Sequence, residues 1–108
     1  MTRPSIAQLN DLLRETFLTG QVLLTEGIQN LSVDQRCAVL GKVRTFSDFT
    51  GNNDPYGERD FGAFDHEGVG KVFWKIDYYD LAYKAHSPDP ADPTVTRRVL
   101  TVMLAHEY

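Results

Sequence analysis

FGAFDHEGVGKVFWKIDYY, residues 61–79, decides the fold. Two runs rich in aromatic and β-branched residues flank Glu67-Gly68, a turn-forming dipeptide, so residues 61–66 and 69–79 are predicted to pair as a hairpin. A two-residue turn there sets Phe61 opposite Trp74 and Ala63 opposite Val72. Strand alternation then assigns Phe61, Ala63, Val72, Trp74, Ile76 and Tyr78 to the core face, because nearly all are large and apolar. Gly62, Phe64, Phe73, Lys75, Asp77 and Tyr79 fall on the opposite face. Phe64, Phe73 and Tyr79 make that face too apolar for idle exposure, which predicts a cover, either a helix or the loop over residues 47–59.

Upstream of the hairpin, Ile6, Leu9, Leu13 and Phe17 recur at helical spacing and predict an amphipathic helix ending near Gly20. QVLLT, residues 21–25, reads as a short strand, and Glu26-Gly27 as a turn. Ser32 and Gln35 have the spacing of a capping box, with Leu31 as a staple residue, so a second helix follows. Its predicted buried face is Val33, Cys37, Leu40 and Val43, which makes Cys37 a small, unreactive core residue. Residues 47–59 hold two Gly, two Asn and one Pro and no helical period, so they form a long loop, the kind of segment on which small domains place function.

Downstream, LAYKAH (81–86) suits a short strand, and SPDPADP (87–93) a proline-punctuated connector. Asp92 or Thr94 is then predicted to cap a last helix, with Pro93 in its first turn and Val95, Val99, Val102 and Met103 as its buried stripe. The expected architecture is a single α+β domain over residues 1–108: an antiparallel sheet of three or four strands centred on the hairpin, packed against about three helices.

With 42% apolar residues and twelve aromatic ones, the chain has the composition of a folded domain rather than of a disordered segment. Its first residues lack a long apolar run and its most apolar stretch, residues 99–105, is too short to cross a bilayer, so neither a secretion signal nor a membrane span is expected. A lone cysteine fits a reducing compartment, and the cytoplasm is the expected location. The net charge of −4 is concentrated: residues 47–92 carry ten acids against four bases, whereas the flanking segments are each +1. Such a field disfavours nucleic-acid phosphates and favours a basic protein partner.

Three phrases, NDPYGERDFGAF, VFWKIDYYD and SPDPADPTVTRRVLTVMLAHEY, resemble a family of small bacterial proteins known only as a domain of unknown function. The resemblance extends over nearly the whole chain. It implies no activity and no assigned site residue. Members are similar to accessory proteins of plasmids and integrated elements, which by analogy implies a role in element maintenance or defence evasion.

Asp54, Glu58 and Asp60, beside Asn52, Asn53 and Gly57, supply oxygen atoms suited to a hard cation, but without the spacing of an EF-hand, and turn chemistry accounts for the same residues. Asp77 and Asp80, three apart on a strand, point to opposite faces, so Asp77 is expected to pair with Lys75. The histidines, His66, His86 and His106, share no metal-ligand spacing, with His106 expected at the edge of the last helix's apolar side. No serine lies in a nucleophile motif and no phosphate loop is present. Arg97 and Arg98 are expected to face away from the core. No catalytic residue, metal or cofactor is assigned. The candidate binding surface is Asp54, Tyr56, Glu58, Asp60, Lys75, Asp77 and Tyr79, presented by a non-enzymatic accessory protein to a basic partner. The alternative is a small metal-assisted or acid/base hydrolase using Asp54, Glu58, Asp60 and Asp77.

Overall fold

The computed structural model describes residues 3–108. Ser5 caps α1 (Ile6–Thr16), its hydroxyl accepting from the amide of Gln8 while the Gln8 side chain returns to the Ser5 amide. The helix stops three residues before Gly20, on Phe17, whose φ of 61° closes the last turn onto the Leu13 carbonyl. Strand β1 (Gln21–Leu24) follows, and the Glu26-Gly27 turn develops into the one-turn helix α2 (Glu26–Gln29), which sinks Ile28 into the core. Helix α3 (Val33–Thr45) begins at the Ser32/Gln35 capping box read from the sequence.

The buried face of α3 differs from the expected one. Val39 and Val43 are fully buried, whereas Val33 is 64% exposed and Cys37 is exposed. Apolar residues are spread around this helix, so its own period scarcely selects a side. Leu31 before it and Phe46 after it both pack on the core and rotate the Val39 side inward.

Strands β2 (Phe61–His66) and β3 (Gly70–Tyr79) form the expected hairpin with a different register: Gly62 pairs with Trp74 and Phe61 with Lys75. The loop has three residues rather than two, with Val69 returning its amide to the His66 carbonyl and Gly68 at φ 81°. One extra loop residue exchanges the faces of β2. Val72, Trp74, Ile76 and Tyr78 are buried as expected, joined on that face by the buried Gly62 and the half-buried Phe64, while Phe61 and Ala63 move to the face of Phe73.

The largest correction concerns the C-terminal helix, which is the strand β4 (Arg97–Leu104), followed by a 3-10 turn at Ala105–Glu107. It lies between β1 and β3, parallel to β1 and antiparallel to β3, in a mixed sheet of order β1-β4-β3-β2. Leu100 and Val102 on one face of this strand and Val99 and Met103 on the other are all buried, so its apolar run does not alternate and imitates a buried helix. Thr94 and Asp92 make a turn instead of a cap, the Asp92 carboxylate accepting from the Thr94 amide at 2.9 Å. Residues 81–86 contribute a single bridge, Tyr79 to His86, rather than a strand. Among the described residues the fold is α+β, with four strands and three α-helices. No described helix is long and apolar enough to cross a membrane.

Candidate functional site

The 47–59 loop is held by its own turn chemistry. The Asn53 side chain accepts from the Thr50 amide at 2.7 Å and donates to the Asp48 carbonyl at 2.8 Å, and the Asp54 carboxylate accepts from the Arg59 amide at 3.0 Å. Phe49 anchors the loop on the helical side of the sheet, edge-on to Phe46 at 5.1 Å and to Trp74 at 6.1 Å. Arg14 and Arg59 lie over the Phe49 ring and share the carboxylate of Asp11. The loop therefore does not cover the outer face of the hairpin.

Its acidic end reaches the sheet edge. The Asp60 carbonyl accepts from the Ile76 amide at 2.8 Å. Burial raises the Asp60 carboxyl above its ordinary value, and the nearby charges of Glu58, Asp54 and Asp77 push it further. Tyr56, 86% exposed, stands at the loop tip. Of the seven candidate residues, Asp54, Glu58, Asp60 and Asp77 thus share one negative field. Lys75, Asp77 and Tyr79 belong to the other face of the sheet, where Lys75 and Asp77 pair at 3.1 Å.

That face is the second surface. All three helices pack on the Trp74 side, leaving a groove of about 710 Å³ over β1, β4 and β3. Its floor includes Leu23, Val99, Thr101 and Met103. At one end Tyr108 stands edge-on to Phe73 at 5.5 Å and to Phe61 at 6.2 Å, and at the other Tyr83 meets Tyr79 at 6.1 Å. The Glu107 carboxylate fixes the Tyr108 end: it accepts from the Thr25 hydroxyl at 2.6 Å and from the Gly27 and Leu104 amides at 2.9 Å each, bonds that lower its pKa.

Beneath the helices lies a polar cluster that sequence reasoning missed. The Asn10 amide donates to the Tyr78 hydroxyl at 2.7 Å and to the Glu58 carbonyl at 2.9 Å, and its oxygen accepts from Arg98 Nε at 2.7 Å. Arg98 also donates to the Pro90 carbonyl and lies over the Tyr78 ring at 5.0 Å. Burial lowers the Arg98 pKa and raises that of Tyr78. Arg98 is therefore an interior residue rather than a surface cation, while Arg97 is exposed. The available signal was Asn10 itself, four residues from Ile6 on the apolar stripe of α1.

The histidines remain apart: His106 is exposed in the 3-10 turn instead of edging a helix, and His86 contacts the Ser87 carbonyl. Among the described residues no three His, Cys, Asp or Glu side chains gather in a way that could hold a metal ion. No curated protein and no solved structure matches the chain. The family model described as protein of unknown function (DUF3768) matches residues 24–107, which takes in every strand but the first three residues of β1, and the chain belongs to that family.

Proposed function

We propose that this chain is a non-enzymatic accessory protein, of the kind carried by mobile elements, that binds a basic protein partner in the cytoplasm through Asp54, Tyr56, Glu58 and Asp60. The observation that supports this most is the crowding of carboxylates at Asp60, whose carboxyl is raised first by burial and then by the charges of Glu58, Asp54 and Asp77. The nearby cations are already committed, Arg59 to Asp11 and Lys75 to Asp77. A lysine- or arginine-rich partner would relieve that repulsion, and the exposed ring of Tyr56 offers the adjacent aromatic anchor.

The test is surface kinetics with a partner captured from native lysate, run at two salt concentrations. Charge reversal at Glu58 and Asp60 is expected to slow association, and added salt to weaken it, since screening at about 0.15 M limits exposed charges to roughly 8 Å. Tyr56→Ala is expected to speed dissociation. Binding indifferent to salt and to all three substitutions overturns the proposal.

A further inference from the structure

The outer face of β3 reads Phe73, Lys75, Asp77, Tyr79, with Ile76 at its midpoint pointing to the other side of the sheet. About Ile76 this series is its own complement. Phe73 and Tyr79 are equidistant aromatics, each backed by a second ring, Tyr108 and Tyr83 respectively, and Lys75 and Asp77 are equidistant opposite charges. The third charged group at the groove, Glu107, has its carboxylate taken by one hydroxyl and two backbone amides. Lys75 and Asp77 cancel, so Glu107, held at the Tyr108 end, leaves this face a single negative charge, far less than the crowded carboxylates of the loop on the helical side.

We propose that the helix-free sheet face is an interface between two copies of this chain, packed sheet to sheet about a two-fold axis crossing β3 at Ile76. A two-fold there sets Lys75 of each copy against the partner's Asp77, and the Phe73–Tyr108 cluster against the partner's Tyr79. Leu23, 50% exposed on β1, and the half-buried Thr101 of β4 extend the contact on the β1 side of β3. With strands ~4.8 Å apart and ~3.3 Å per residue, the sheet projects roughly 450 Å² per copy, about 900 Å² for the pair before side-chain relief and the aromatic ends add to it. Specific interfaces begin near about 1,000 Å² in total, which places this pair among the smaller ones. The proposal does not rest on the acidic-loop reading, whose residues Asp54, Tyr56 and Glu58 stay outside the contact.

Sedimentation of the full chain across a concentration series tests it. The expected result is a reversible shift from 12.2 kDa to twice that mass. Lys75→Glu and Asp77→Lys, each at a half-exposed position, are expected to weaken self-association by about tenfold or more, because each sets like charges against one another across the axis. Equal mixtures of the two single variants, and the double variant alone, are expected to associate again, since both restore opposite charges. Melting curves establish that each variant is folded, and Leu23→Lys supplies an independent break if either charge variant is not. A chain that stays monomeric throughout overturns the proposal, as does a dimer indifferent to Lys75→Glu, Asp77→Lys and Leu23→Lys, or a folded double variant that fails to associate. A monomer whose groove signals shift with an added lysine-rich polypeptide also overturns it and gives the face to a basic partner.

Discussion

Trp74 rests on Gly62, its cross-strand neighbour, so closely that a Cβ at position 62 would lie 2.3 Å from the indole Nε1. The glycine is thus the floor on which the central aromatic of the core lies, with Phe46 and Phe49 edge-on to the same indole. Gly62→Ala is expected to destabilise by about 1–3 kcal/mol, the range for overpacking a fully buried site. Denaturant midpoints check it. Combining it with Trp74→Leu should cost less than the sum of the two, because the clash requires the indole.

Asn10 joins three elements: α1, which carries it, the end of the 47–59 loop through the Glu58 carbonyl, and the sheet through Tyr78 and Arg98. Asn10→Leu removes the acceptor for Arg98 Nε and the donor for two oxygens. Each buried group left unpaired costs about 1–3 kcal/mol, so this variant should be among the most destabilised single changes in the chain. Asn10→Asp should be milder, since it keeps an acceptor for Arg98. If Asn10→Leu melts with the wild type, the cluster contributes nothing net.

Cys37 is exposed on α3, so its thiol is open to reagent in the folded state. Native protein is expected to take up one equivalent of an aromatic disulfide reagent without denaturant, and Cys37→Ser to leave the melting temperature within experimental scatter. Labelling only after unfolding would return Cys37 to the interior.

Local signals in this chain were read more reliably than partners across space. Ser32 acts within three residues of itself, so its capping box was read from spacing alone, and the unread Ser5/Gln8 box has the same spacing. The identity of β3 and its buried set, Val72, Trp74, Ile76 and Tyr78, followed from period-2 alternation alone. What failed depended on something non-local. The register of β2 turned on one residue of loop length, and that single residue moved Phe61 and Phe64 to opposite faces. Strand β4 was read as helix because residues of both its faces are buried, Leu100 and Val102 on one and Val99 and Met103 on the other, which erases the alternation. Of the residues proposed as one binding surface, Asp54, Glu58 and Asp77 act electrostatically on Asp60, whereas Lys75 and Tyr79 lie on a sheet face the loop does not reach.

Asp60 sets an acid-range dependence that runs opposite to that of most carboxylates. Its folded pKa is raised above the ordinary 3.8, first by burial and then by Glu58, Asp54 and Asp77. As pH rises through 3.8 the unfolded chain releases this proton before the folded one does, so stability falls until the folded pKa is passed and the full penalty applies at neutral pH. Asp89 and Glu107, whose pKa values are lowered by their hydrogen-bonding partners, act the other way and lose their contribution as pH falls below the ordinary carboxylate range. Asp60→Asn isolates the first effect: it is expected to melt above the wild type at neutral pH, with the difference vanishing as pH falls below 3.8. Glu58→Gln should reproduce part of the gain, because it removes the largest of the three repelling charges while leaving the burial of Asp60 in place. Melting curves of the three proteins over the acid range decide the matter. An Asp60→Asn variant no more stable than wild type at neutral pH would mean that the carboxylates around Asp60 do not repel one another in solution.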